Sequence, residues 1–260
     1  MSAAPDDWLS LRIAAENFYD MQLVRLGIES RIDRGGVDAD FYAPTLAAAE
    51  AAEKEAGKFL HAVYRRVAPA GVREWQKGAL GIGEHLLARL LGAIGHPVHT
   101  TVYAWESEGR DKRTLVVVGD MDRSVSQLWS YCGHGDAERK RRKGMTADDA
   151  AALGKPSAKM LVHLLAESCM KQTARADANG EVTRDASAYR DVYDAARERV
   201  ADREGWSDDH RKNHALRLTG KAILRDLWLA GGGAESGDGS QPGHATPRLI
   251  APVAAAQKGQ

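Results

Sequence analysis

Arg139-Lys140-Arg141-Arg142-Lys143 is the densest charge in the chain, five consecutive cations followed by Gly144. Cations at that spacing suit a row of phosphates, each contact adding to a salt-dependent affinity. A solvated charged loop fits the same residues. A second pattern lies upstream, where Leu80-Gly81-Ile82-Gly83-Glu84 places a Gly-apolar-Gly tripeptide ahead of an amphipathic helix that Gly95 closes. Two glycines permit a tight turn with positive φ and remove side chains that would hold a phosphate away. The backbone N–H groups of Gly81, Ile82, Gly83 and Glu84 then face an anion with the help of the helix dipole, and Ile82 is the apolar plug beneath. An ordinary glycine turn between two core helices would use these residues as well. Further on, Arg217, Lys221 and Arg225 share one face of a predicted helix. That stripe suits DNA or RNA, or simply solvent.

Other chemistries have less behind them. Asp120-Met121-Asp122 ends an apolar strand and could present carboxylates to Mg²⁺, but a two-metal site needs carboxylates from further strands that the chain does not offer. His210 and His214 have a zinc-ligand spacing without a Cys or acidic partner to match. Ser157 and Ser168 have no base or oxyanion partner nearby in sequence, and His163 reads as a partly buried polar contact. No metal and no cofactor is expected.

The 260 residues carry 36 basic and 36 acidic side chains, so the net charge is zero. The balance hides a gradient: residues 1–60 hold 6 basic and 11 acidic side chains, and residues 61–230 hold 28 basic and 23 acidic. The positive part is the part with the glycine hairpin. Hydrophobic content of 43% is ordinary for a globular chain. No stretch approaches the roughly 20 apolar residues of a membrane span, and the N-terminus lacks a signal-peptide core. Cys132 and Cys169 sit in apolar helical patterns, as reduced buried thiols of a cytoplasmic protein would.

The elements that must position these groups are mostly helical. Trp8, Leu11, Ala15, Tyr19, Leu23 and Leu26 recur at helical spacing after Asp6 and Asp7. A second helix is predicted from near Pro44 to Val67, ended by Pro69 and Gly71. Together these make residues 1–70 a coiled-coil-like arm, or equally a helical lid on the core. Residues 72–79 form the first helix of the glycine hairpin. Thr101–Trp105 and Thr114–Val118 read as a small β-hairpin. Ser124 and Gln127 form a capping box for a helix through Leu128 and Tyr131. Later helices start near Pro156, at Ser187 and at Ser207. Residues 231–260 are rich in Gly, Ala, Ser and Pro and are expected to be disordered.

The order of these pieces resembles the C-terminal domain of the IS-one-ten/one-sixteen type insertion-sequence transposases. The likeness covers residues 72–229 and rests on the glycine hairpin, Arg123-Ser124-Val125-Ser126-Gln127-Leu128-Trp129-Ser130-Tyr131-Cys132-Gly133, the basic loop, the helix Lys159–Lys171, Ala188-Tyr189-Arg190, and Lys221-Ala222-Ile223-Leu224-Arg225-Asp226-Leu227-Trp228. It implies a mostly α fold: a helix-hairpin-helix-containing domain with a small inserted β-hairpin, preceded by a two-helix coiled-coil-like arm. In that family an acidic RuvC-like domain, joined by a coiled coil, precedes this one, and a serine in the loop ahead of a glycine serves as nucleophile for strand exchange. Here two helices stand before residue 72, and Lys143 occupies the implied serine position ahead of Gly144. Leu87 also stands where the family's hairpin has a small residue.

A lysine cannot form the serine phosphoester, so the reading is a DNA-binding protein that grips the backbone without cutting or joining it. Ser157, just past the loop, is the first residue to test if the register slips. Two alternatives stay open: a recombinase acting beside a separate RuvC-like subunit, and a helical assembly protein without nucleic-acid function. RNA as ligand and a homodimer through residues 44–68 stay open too.

Overall fold

Helical periodicity over the first 67 residues builds two long helices. In this computed structural model, which describes residues 5–35, 38–107, 113–136 and 142–234, α1 is Pro5–Asp33 and α2 is Ala39–Val67. α2 begins before Pro44 because the Asp38 carboxylate accepts the Asp40 N–H at 3.0 Å and caps the helix there. Pro44 then lies in the second turn, where its missing N–H costs a single backbone bond. The helices run antiparallel: Asp7 pairs with Arg66 at 3.5 Å, and Arg25 with Glu53. Their open end joins the main core through Leu11, Ala14, Phe18, Leu60, Val63 and Tyr64. Their turn end leaves Leu23, Val24, Leu26 and Phe41 exposed. α1 and α2 thus combine a core-packed end with a turn end that exposes apolar side chains.

α3 (Ala70–Gly78) and α4 (Glu84–Ile94) follow. α4 buries Leu87, Ala88, Arg89, Leu90, Leu91, Gly92 and Ile94, so it is a core helix on nearly every side. It packs on α1, α2 and α7 (Pro156–Met170), whereas α3 packs on α9 (Asp208–Ala230). Gly92 sets the α1–α4 approach, since a Cβ there would stand 2.6 Å from Ala15 Cβ and 3.0 Å from the Leu11 carbonyl oxygen.

The expected β-hairpin is present and longer than its apolar runs, with β1 (His99–Ser107) antiparallel to β2 (Arg113–Asp122). Its ladder shifts register between Val102 and Tyr103, which pair with Gly119 and Val117, so Val118 is the extra residue of a bulge. The buried Arg123 anchors the hairpin to the end of α4, donating to the carbonyls of Pro97 at 2.9 Å, Ile94 at 3.2 Å and His96. The Ser124–Gln127 capping box opens α5 (Val125–Tyr131), and Thr146 caps α6 (Ala147–Ala151).

A second, short hairpin was not foreseen in the sequence. β3 (Arg175–Ala176) pairs with β4 (Val182–Arg184) around a turn in which Asp177 Oδ1 accepts from Asn179 N at 2.8 Å and Glu181 N at 2.9 Å. Gly180, at φ +85°, supplies the left-handed residue, and Asn179-Gly180 is the sequence signal for it. Ser187 and Ser207 cap α8 (Ala188–Glu198) and α9. Cys132 and Cys169 are buried free thiols, and burial pushes each up to about 12. No helix of the described residues is long and apolar enough to cross a membrane. Residues 235–260, most of the expected disordered tail, lie outside the described residues.

Candidate nucleic-acid interface

The turn between α3 and α4 is a type II turn in its hydrogen bonding and its glycine. Ile82 N donates to the Ala79 carbonyl at 3.0 Å, and Gly81 takes φ +97° at the third position. Gly81 is needed for a second reason. A Cβ there would stand 2.7 Å from Cys169 Cα, so the turn is pressed onto the C-terminal end of α7. Ser187 Oγ donates to the Leu80 carbonyl at 2.7 Å and Gln76 Nε2 to that of Ile82 at 3.1 Å. Ile82 is buried, as the plug should be. Gly83 is exposed, with nothing within 4 Å of the place a Cβ would take. Glu84 opens α4 with its carboxylate already held by Arg65, from Nε at 2.8 Å and Nη2 at 3.2 Å. Arg73 Nη1 braces the same corner by donating to the Arg65 carbonyl at 2.8 Å.

Arg139, Lys140 and Arg141 lie outside the described residues. Arg142 and Lys143 are exposed, and Gly144 follows at φ +83° with open space around it. The neck of this excursion is tightly closed. Lys155 N donates to the Tyr131 carbonyl at 2.7 Å, and a Cβ on Gly154 would meet the Ser130 carbonyl oxygen at 2.4 Å.

The predicted basic stripe of α9 serves that neck. Arg217 is half-buried and donates from Nη2 to the carbonyls of His134 at 3.0 Å and Gly135 at 2.5 Å. Lys221 Nζ lies 4.0 Å over the Trp129 ring, whose Nε1 donates to the Lys221 carbonyl at 3.0 Å. Burial, and then Arg217, lower the Lys221 pKa. Arg225, one turn on, is half-buried and engaged with its neighbours. Arg217 therefore fastens the start of the neck, and Lys221 fastens α5.

The two candidate contacts sit at opposite ends of α7. The glycine turn packs at Cys169, and the neck packs at Lys159, where a Cβ on Gly133 would meet the Lys159 Cδ at 2.9 Å. At 1.5 Å per helical residue the ends of α7 lie about 20 Å apart.

The sequence reading overlooked Arg175 and Arg184, which stand directly opposite each other across β3 and β4. Like charges so placed repel, and Arg184 turns its Nη2 onto Gln172 Oε1 at 3.4 Å and the Thr173 carbonyl at 3.5 Å. This hairpin adjoins the glycine turn, because Ser187 binds both Leu80 and, through its N–H at 2.9 Å, the Gln172 carbonyl. Asp122 is paired with His99 at 2.6 Å, and His210 with the Ser207 hydroxyl at 3.1 Å. Among the described residues no three His, Cys, Asp or Glu side chains gather as a metal site would need.

Comparison with protein-family models and with curated proteins finds no match for this chain.

Proposed function

We propose that this chain binds DNA through the phosphate backbone, largely independently of sequence, and does so without cutting or joining strands. The carrying observation is the turn ahead of α4. Its first glycine is committed to packing, its apolar residue is buried, and its second glycine is exposed with open space beside the start of a helix. That combination is what a helix-hairpin-helix contact would require, with backbone N–H groups meeting a phosphate. The likeness in order and motif to the insertion-sequence transposase C-terminal domain supports the same reading. The exposed Arg142 and Lys143 add a second point of attraction. Lys143 at the family's serine position is the reason no strand exchange is proposed.

The test is a salt series of fluorescence anisotropy titrations with duplex, single-stranded and four-way DNA, with RNA as a further arm. Affinity for DNA is expected to fall steeply with salt and to be similar across sequences. Charge reversal at Arg141 and Arg142, or Gly83→Asp, should weaken every DNA alike. Gly83 has φ −74°, so an aspartate fits its backbone. No binding at low ionic strength defeats the reading. A covalent protein–DNA adduct would defeat its non-catalytic half.

A further inference from the structure

A cavity of about 360 Å³ opens between α1, α4 and the start of α7. That is small-ligand size, at the lower end of the range of roughly 300–1,000 Å³. Its walls divide by chemistry. Arg89 and Lys155 bring two positive charges beside an Arg12–Glu16 pair, in which Arg12 Nε donates to Glu16 at 2.9 Å. Ala15, Ala93, Met160 and Leu161 are apolar, and the Tyr19 ring stands at the mouth.

Arg89 is the unexplained group. It is only 8% exposed, yet its guanidinium has no hydrogen bond or ion pair among the described residues. Its neighbours are ring faces, with Cζ 5.3 Å from the Phe18 centroid and 5.9 Å from that of Tyr19. Among the described residues the sealed side-chain atoms without a partner are Tyr64 Oη and Arg184 Nε, so the Arg89 nitrogens reach the solvent of the cavity, where an anion would meet a weakly hydrated cation. α7 adds a second attraction. Its first turn carries no acidic residue, no side chain caps it, and Pro156 and Ser157 of that turn line the cavity. Lys155 donates to the Ala93 carbonyl at 3.1 Å, and burial, followed by Arg12, lowers its pKa. An anion would relieve that repulsion too.

We infer that this cavity binds a phosphomonoester carrying an apolar or aromatic body, a nucleotide in chemical class. The lining's surplus of two positive charges matches the phosphate dianion, and the Met160 and Tyr19 side fits the organic body. The group could arrive as a free nucleoside monophosphate or as the 5′-phosphorylated end of a strand. The inference does not depend on the backbone grip proposed above, which uses other residues.

Isothermal titration of the full chain with adenosine monophosphate, adenosine and inorganic phosphate tests it. The monophosphate should bind saturably, with adenosine and inorganic phosphate each at least about tenfold weaker, since each lacks half of the contacts. Arg89→Met should weaken monophosphate binding by about tenfold or more while leaving binding of a 5′-hydroxyl duplex unchanged. Met160→Glu, at an exposed position, puts a carboxylate at the mouth and should weaken it also, with no core residue touched. A 5′-phosphorylated duplex binding more tightly than its 5′-hydroxyl counterpart, with the same Arg89 dependence, assigns the strand end. Equal binding of the two duplexes assigns the free nucleotide. Failure of the monophosphate to bind at millimolar concentration, equal binding of adenosine, or indifference to both variants overturns the inference. Loss of 5′-hydroxyl duplex binding with the monophosphate still bound would remove the backbone reading alone.

Discussion

His96 and His134 show how single residues of this fold couple to pH. His96 Nδ1 accepts the N–H groups of Val98 at 3.1 Å and His99 at 3.2 Å, so the ring must be neutral there. Burial, followed by His99 and Arg123, pulls its pKa down to about 4. His134, whose Nδ1 lies 2.8 Å from the Cys132 carbonyl, is pulled down to about 4 by burial and then by Arg217, Lys159 and His163, against that backbone bond. Both folded values lie below the unfolded value near 6.5, so the unfolded chain takes up protons first as pH falls. Their contribution is fully present above about pH 6.5 and is lost progressively toward pH 4, at up to about 1.4 kcal/mol per pH unit for each ring. Urea midpoints measured at pH 7, 6 and 5 should fall in that order. His96→Asn, whose amide oxygen can accept the same two N–H groups, should flatten the fall. A wild-type midpoint unchanged between pH 7 and 5 refutes this. Neither histidine was legible in the sequence, because a lone histidine carries no periodic signal. Arg217 and Lys221 misled in the same way: their spacing placed them on one face, but only tertiary packing shows that the face meets the loop neck and Trp129.

Among the elements, the glycines of α4 and its turn make a graded set. At Gly92 a Cβ would collide with Ala15 and the Leu11 carbonyl, so Gly92→Ala should destabilise by roughly 1–3 kcal/mol, despite the helix-propensity gain of about 1 kcal/mol. Gly81→Ala should cost at least as much, from its positive φ and from Cys169. Gly83→Ala meets nothing and should leave the unfolding free energy within about 0.5 kcal/mol of wild type. Equal effects at Gly81 and Gly83 would contradict the assignment of one to packing and the other to exposure. The long helices, the Ser124–Gln127 capping box and the first hairpin were legible because each repeats a signal over many residues or pairs two at fixed spacing. The start of α2 was not, since a proline is ordinarily a first-turn residue and Asp38 overrides that signal by capping the helix earlier, at the cost of one backbone bond at Pro44. The β3–β4 hairpin has too few residues for any periodicity, and Asn179-Gly180 was its sole cue. If the chain self-associates through the arm, the exposed Leu23, Val24, Leu26 and Phe41 at the α1–α2 turn are an apolar surface it would cover. Sedimentation of Leu23→Lys should show a lower mass than wild type at the same concentration, and a monomeric wild type would exclude the arm as a dimer contact.

At the scale of the whole molecule, charge and geometry set how DNA could lie. The acidic surplus of residues 1–60 lies mainly on α1 and α2, which would turn that arm away from any polyanion. The glycine turn and the loop neck are held at the two ends of α7, about 20 Å apart. The order of motifs suggested both contacts but not their separation, because helix packing rather than chain order decides which ends of which helices meet. If one duplex engages both, the two contacts are too distant to share partners, and their contributions to affinity should add. Gly83→Asp and Arg142→Glu are then expected to weaken binding singly, and the double variant should show the product of the two fold-changes within a factor of about two. A double variant no weaker than the poorer single one would mean that the two sites are alternative rather than simultaneous contacts. That outcome would reduce the interface to one end of α7.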